Sequence, residues 1–130
     1  MHTDPISDFL IRLKNAQHAR HESVELPSSC IKVAIANIFA REGYVGGVAE
    51  RSEGVKKFLT VALKYDGKEP RIRNIRRVSR PGRRVYRKAG ELPRVLSDIG
   101  IAVVSTSAGL MTNKEARRRK LGGEVICEIN

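Results

Sequence analysis

The sequence has few aromatic residues and few cysteines. It contains no Trp, three Phe and three Tyr. Sheets that bind RNA by stacking bases on aromatic rings need more rings than this, clustered in a defined motif. Two cysteines, Cys30 and Cys127, are too few for a disulfide framework. Any recognition of nucleic acid by this chain must therefore depend on arginine, hydroxyl groups and shape.

Segments for export or membrane insertion are also missing. The chain begins Met-His-Thr-Asp-Pro, without the basic and apolar regions of a signal peptide. No apolar run approaches the roughly 18 residues that a membrane span requires. No amphipathic stretch combines a basic face with a strongly apolar one. We expect a soluble, cytoplasmic protein that does not bind a membrane.

Residues suited to catalysis or metal binding are sparse. His2, His18 and His21 have no cysteine nearby at the spacing of a metal ligand, whereas a zinc site needs four ligands, usually in close pairs. The acidic residues are scattered, with no pair that suggests acid–base chemistry. No glycine-rich spacing is followed by Lys and Ser or Thr. We therefore expect neither an enzyme nor a metal or cofactor site.

Positive charge is plentiful and lies mostly in the second half of the chain. Residues 1–70 carry ten Lys or Arg against nine Asp or Glu, a net of +1, whereas residues 71–130 carry fifteen against five, a net of +10. The run 71–94 holds ten basic residues, nine of them Arg, and one acid. Because acids are nearly absent there, we expect these charges not to cancel in local pairs. An arginine-rich field of this kind is typical of nucleic-acid binding, although a solvated charged face has the same composition.

The first half of the chain predicts an α-β-α-β-β lobe. Asp4 can cap a helix, and proline at the first helical position costs no hydrogen bond. Apolar residues then recur at helical spacing, and later segments alternate as strands do. The predicted elements are a helix that begins at Pro5 and ends near 18–21, a strand at 24–26, a helix capped by Ser28 or Ser29, and strands at 44–51 and 57–65.

The second half predicts mostly β structure with short helices. We expect strands at 72–79, 85–87, 101–104 and 124–129, and short helices at 92–99 and 113–120. The second of these helices follows a capping box, Thr112 with Glu115 three residues later. The polar stretch before Pro70 separates the halves. The prediction is an α/β protein of the α+β type with two lobes, 1–66 and 67–130.

Two segments of the second lobe are candidate binding surfaces. Ser105-Thr106-Ser107 follows an apolar strand, and its hydroxyls can bond sugars, phosphates and base edges. The alternative is a strand-ending turn with local side-chain to backbone bonds. The other segment is a turn crowded with arginine, in which Tyr86 either stacks on a base or covers the sheet; its basic residues are Arg80, Arg83 and Arg84.

Four motifs in order resemble the bacterial-type ribosomal protein eight family of the small subunit. They are Thr3-Asp4-Pro5-Ile6, the stretch RPGRRVY at 80–86, GIAVVSTS at 100–107 and GGEVIC at 122–127. The resemblance covers essentially the full chain, and the serine-threonine-serine motif is highly specific.

The resemblance implies a two-lobed structural protein that binds the central domain of small-subunit ribosomal RNA and promotes its folding and platform assembly. On the matching positions, Ser105, Thr106 and Ser107 are expected to bond the RNA core, and Tyr86 and Glu124 to shape or contact that site. The amino-terminal surface is expected to include Thr3, Asp4, Arg12 and Asn15. The implied neighbours are small-subunit proteins five and twelve. Some bacterial members also repress translation of their own operon messenger RNA.

Two positions depart from the family pattern. Ala108 and Cys30 stand where relatives often carry a basic residue, which puts one phosphate contact and one contact of the second helix in doubt. An RNA-processing enzyme and a sequence-specific DNA-binding module remain the alternatives. The first needs a convergent carboxylate or His/Cys site, and the second needs a basic recognition helix; the sequence shows neither.

Overall fold

The chain divides into two units in the computed structural model, which describes residues 4–95 and 99–130. One unit is Ile6–Arg73, and the other is Asn74–Asn130 together with the residues up to Pro5. The predicted site residue Thr3 and the middle of the helix predicted at 92–99 lie outside the described residues. Within the described ranges, no helix is long and apolar enough to cross a membrane.

The unit Ile6–Arg73 places two helices with a three-stranded antiparallel sheet of order β1-β3-β2. Its elements are α1 (Pro5–His18), β1 (Ser23–Pro27), α2 (Cys30–Arg41), β2 (Val45–Glu53), β3 (Lys56–Leu63) and a short pair, β4 (Tyr65–Asp66) with β5 (Glu69–Pro70). The spacing of apolar residues buries one face of each helix, including Phe9, Leu13 and Phe39. Ser29 caps α2, because its side chain accepts a hydrogen bond from the Lys32 amide.

The other unit contains a β-sheet in which one strand, at 123–129, pairs with three others. Its elements are β6 (Ile75–Arg77), β7 (Tyr86–Arg87), a 3₁₀ turn (Ala89–Glu91), β8 (Ile101–Thr106), β9 (Gly109–Thr112), α3 (Asn113–Arg118) and β10 (Gly123–Ile129). The sheet order is β6-β10-β8-β9, and β7 also pairs with β10. Its apolar core includes Leu92, Val104, Met111, Ala116 and Val125. The α+β class and the mostly β character of this part are therefore confirmed.

Three details of this unit differ from the sequence prediction. The strand expected at 72–79 is β only over Ile75–Arg77, and β9 was not predicted. The helix expected at 92–99 is absent from its described residues, because Leu92 is extended (φ −63°, ψ 139°). Pro93 follows it, and proline disfavours the helical region for the residue before it.

An irregularity in β10 is held by a buried arginine. The register of β10 on β8 shifts between Val125 and Cys127, so that Ile126 and its carbonyl lie at the irregularity. Arg77 Nη1 donates to that carbonyl at 2.7 Å, and Arg77 Nε pairs with Asp4 Oδ2 at 3.1 Å. The Arg77 side chain is only 6% exposed. Because a buried charge needs a partner, this pair fixes the shape of the central strand.

Candidate nucleic-acid interface

Three predicted site residues form a row across three strands. In the antiparallel register, Glu124 of β10 lies opposite Tyr86 of β7 on one side and opposite Ser105 of β8 on the other. Directly opposed residues of antiparallel strands project from the same face. The Tyr86 side chain is 64% exposed. The row therefore presents an aromatic ring, a carboxylate and a hydroxyl side by side.

Glu124 is held from below by residues of the arginine-rich turn. The hydroxyl of Ser79, which is fully buried, donates to Glu124 Oε2. Arg84 Nη1 bonds the same oxygen at 3.1 Å, and the Val85 amide donates to Ser79 Oγ at 3.1 Å. The Ser79 hydroxyl therefore both donates and accepts a hydrogen bond, and it connects the turn to the row.

The arginine-rich turn is a tight hairpin tip. The Arg80 amide donates to the Arg83 carbonyl at 3.1 Å, and the Arg83 amide donates back at 2.9 Å. The turn predicted at Pro81–Gly82 is thus confirmed. Both arginines are exposed, and their guanidinium groups have no acidic partner within the described part of the chain. They are free to contact phosphate.

The hydroxyl triplet lies at the tip of the β8–β9 hairpin, where Thr106 pairs with Gly109. Thr106 Oγ1 accepts from the Ala108 amide at 3.1 Å and donates to the Gly109 carbonyl at 2.8 Å. The hydroxyls of Ser105 and Ser107 make no hydrogen bond to any described residue. The turn-forming interpretation therefore applies to Thr106, whereas the two serines keep their hydroxyls available. Gly109 has φ +108°, which suits glycine.

Two glycines allow β10 to approach its neighbours closely. A Cβ on Gly123 would overlap the Ser105 carbonyl, and a Cβ on Gly122 would lie 2.6 Å from the Arg87 carbonyl. The glycine pair is therefore needed for the close approach of β10 to β7 and β8. Beside it lies an open groove of about 550 Å³, lined by Tyr86, Arg87, Lys88, Ala89, Glu91, Gly122 and Gly123.

The basic run 71–94 is less free of ion pairs than its composition suggests. Four of its arginines pair with acids, and three of these acids are remote in sequence: Arg73 with Glu69, Arg76 with Glu128, Arg77 with Asp4, and Arg84 with Glu124. The expectation that the charges do not cancel in local pairs was wrong for Arg73, whose partner Glu69 lies four residues away. The other three arginines pair with acids that only folding brings to the run. The exposed basic residues with no acidic partner among the described residues are Arg80, Arg83, Arg87 and Lys88.

The remaining predicted site residues lie elsewhere. Arg12 and Asn15 are exposed on α1 in the unit Ile6–Arg73, and Arg12 Nε lies 3.5 Å from Asp8 Oδ2. Asp4 is partly buried by its pair with Arg77. Sequence reasoning missed Ser79 and Arg77. In the sequence, Ser79 was only the last residue of the predicted strand at 72–79 and Arg77 only one residue of the basic run, so no pattern indicated a further role for either.

Cys30 is exposed and Cys127 is buried. Burial raises the pKa of the Cys127 thiol to about 12, which makes it a structural rather than a reactive group. Within residues 4–95 and 99–130, no three His, Cys, Asp or Glu side chains form a cluster able to hold a metal ion.

The fold and this surface define a small, basic α+β protein with exposed arginines, hydroxyls and one aromatic ring on its sheet, which are kinds of group that can contact nucleic acid. A family model described as "Ribosomal protein S8" matches residues 4–130. The chain therefore belongs to this family of ribosomal proteins, and the resemblance seen in its motifs is confirmed.

Curated relatives named "Small ribosomal subunit protein uS8" are similar over nearly the whole chain. The protein of Caldanaerobacter subterraneus subsp. tengcongensis is 55% identical over 128 residues, which cover 98% of this chain and 97% of the relative. That of Sorangium cellulosum is 52% identical over 131 residues, with 99% of each chain covered. That of Clostridium novyi is 50% identical over 127 residues, with 98% and 97% covered.

Proposed function

We propose that this chain binds the central domain of small-subunit ribosomal RNA directly and promotes its folding and platform assembly. As a member of its family, it is a structural protein of the small subunit in the cytoplasmic ribosome and not an enzyme. The observation that carries the proposal is the row Tyr86–Glu124–Ser105, which is flanked by exposed arginines and ends at a hydroxyl tip.

The two kinds of group serve different parts of recognition. Arg80 and Arg83 at their hairpin tip, with Arg87 and Lys88 along the groove, supply the phosphate contacts that fix orientation. Ser105 and Ser107 offer hydroxyls that both donate and accept, which suits the sugar hydroxyls and base edges of an irregular RNA core. The exposed ring of Tyr86 offers a face for base stacking.

The unit Ile6–Arg73 contributes a weaker surface in this proposal. Arg12 and Asn15 lie exposed on α1, where they face a neighbouring RNA helix, with Thr3 nearby in sequence. Asp4 contributes by fixing Arg77 rather than by facing phosphate. Proteins five and twelve are the proposed neighbours in the subunit. Repression of its own operon messenger RNA is a second proposed activity, which needs the same RNA-binding surface.

Chemical footprinting on small-subunit ribosomal RNA tests the proposal. We expect protection confined to the central domain, and an affinity for that fragment well above that for duplex DNA. Charge reversal then ranks the surfaces: Arg83→Glu should weaken binding more than Arg12→Glu, because Arg83 has no acidic partner whereas Arg12 already pairs with Asp8. The opposite ranking would place the main contact on the other unit. Cleavage of the RNA during incubation with magnesium would favour the RNA-processing enzyme instead.

A further inference from the structure

The carboxylate of Glu124 has two oxygens in different situations. Oε2 accepts from both the Ser79 hydroxyl and Arg84 Nη1. Oε1 has no hydrogen-bond partner within the described residues. It is nevertheless not a buried atom without a partner, because among the described residues only Asn130 Oδ1 is of that kind. Oε1 therefore keeps contact with solvent, although the Glu124 side chain is only 17% exposed.

An acceptor of this kind selects a particular partner on RNA. A carboxylate only accepts hydrogen bonds, and the phosphates that the exposed arginines attract would repel it. The hydrogen-bond donors of RNA are the 2′-hydroxyls and the amino and imino groups of the bases. Only the base donors carry sequence information. Tyr86 lies opposite Glu124 in the row, so a base stacked on that ring would bring its edge toward Oε1.

We propose that Ser79 is a positioning residue for RNA recognition, which holds Glu124 so that Oε1 accepts a hydrogen bond from the exocyclic amino group of an RNA base. This inference rests on the function proposed above. Ser79 lies beneath the surface and touches no RNA itself. Its hydroxyl fixes the carboxylate at one end and is fixed by the Val85 amide at the other.

Arg84 alone does not replace this restraint. It is 46% exposed on a long flexible side chain, so a Glu124 bonded only to Arg84 moves with it and pairs with solvent or with the hairpin arginines. A carboxylate that is free to rotate loses the defined direction of Oε1. Loss of Ser79 should therefore reduce discrimination between bases more than it reduces attraction to phosphate.

The test uses the full-length chain and transcripts of the RNA central domain. Guanosine, adenosine or cytidine is partly replaced by an analogue without the exocyclic amino group: inosine, purine riboside or zebularine. We expect the unaltered protein to disfavour an analogue at one position by about tenfold, the usual size of a lost hydrogen bond to a charged group. With Ser79→Ala, binding should weaken by a similar factor, and the penalty for that analogue should disappear.

Three variants control the result. Ser79→Thr retains the hydroxyl and should restore the analogue penalty. Glu124→Gln should abolish it without disturbing Ser79, because the amide oxygen can still accept from Ser79 and Arg84 while the amide NH2 group, a donor, takes the place of Oε1. Ser28→Ala deletes a similar serine–glutamate bond, to Glu50 at 2.8 Å, in the unit Ile6–Arg73, and should change nothing. Melting curves check that each variant is folded, and Glu124→Gln carries the test if Ser79→Ala does not fold.

Two outcomes overturn the inference. One is an analogue penalty that persists unchanged in Ser79→Ala or Glu124→Gln. The other is an unaltered protein that binds the central domain specifically and shows no penalty for any amino-lacking analogue. Failure of the proposed function is distinguishable from both, because the unaltered protein would then bind the central domain no better than unrelated duplex RNA.

Discussion

Two hydroxyls of the triplet, those of Thr106 and Ser107, should have different effects when they are removed one at a time. Thr106 uses its hydroxyl twice within the β8–β9 turn, whereas the hydroxyl of Ser107 bonds no described residue. Thr106→Val removes the internal bonds and keeps the side-chain shape. Ser107→Ala removes an exposed hydroxyl and no internal bond. The first change should therefore affect folding, and the second should affect only binding.

The expected magnitudes follow from these contacts. Each bond lost in Thr106→Val contributes about 0.5–1.5 kcal/mol net, and both lie near solvent, so the free energy of unfolding should fall by about 1–2 kcal/mol. Ser107→Ala should leave that free energy within about 0.5 kcal/mol of the original. If Ser107 bonds a polar group of the RNA core, its loss leaves that group desolvated, which costs about 1–3 kcal/mol and weakens binding about 5- to 150-fold.

Equilibrium binding at one fixed salt concentration, with a denaturation curve for each variant, separates the cases. Ser107→Ala should lose affinity for the central-domain fragment and keep its weak affinity for unrelated duplex RNA, because it removes no charge. Equal affinities for the central-domain fragment before and after Ser107→Ala would refute a specific role for this hydroxyl. Unchanged stability in Thr106→Val would refute the assignment of Thr106 to the turn.

Three further predictions concern charge, packing and thiol chemistry. Arg83→Ala should reduce the slope of log affinity against log salt concentration by up to about 0.9. Arg73→Ala should not reduce it, because Arg73 is already paired with an acid. Equal slopes for the two variants would contradict a contact between the hairpin and the RNA. Gly123→Ala should lower the free energy of unfolding, measured by urea titration, by at least about 1–3 kcal/mol, because the new Cβ would overlap a backbone carbonyl. Gly47→Ala is the control: a Cβ there meets open space, so the free energy of unfolding should not fall in this way. Because burial raises the pKa of Cys127 to about 12, a thiol reagent at pH 8 should label one cysteine in the native chain and both in denaturant, and rapid labelling of two would contradict the buried thiol.

Periodicity made the regular elements predictable. The helical spacing over 6–16 and the apolar run 101–104 correspond to α1 and β8, because burial of one face or of both faces leaves a direct trace in the sequence. The cap at Thr112 was equally visible, and its side chain does accept from the Glu115 amide. α3 ends at Arg118 rather than at the predicted Lys120, which has φ +58°.

The missed elements lack such a trace. Strand β9 is short, and its last residue, Thr112, is also the cap of α3, so the helix signal concealed the strand. Lys32 in α2 is buried because its Nζ donates to the Pro27 carbonyl at 3.0 Å, a bond that a hydropathy pattern does not reveal. Three of the four ion pairs of the basic run, and the Ser79–Glu124 bond, join residues distant in sequence, and only the tertiary fold brings such partners together.

The position of β10 determines when the sheet of the unit Asn74–Asn130 can form during synthesis. Residues 6–73 are continuous in sequence, and domains generally fold as units while the chain is being made. Strands β6, β7 and β8, by contrast, all pair with β10, which is translated after each of them. The sheet, and with it the row that includes Glu124, cannot assemble until Gly123–Ile129 has been synthesised. A nascent chain that has not reached Gly123 therefore lacks the completed row and cannot present its three side chains together.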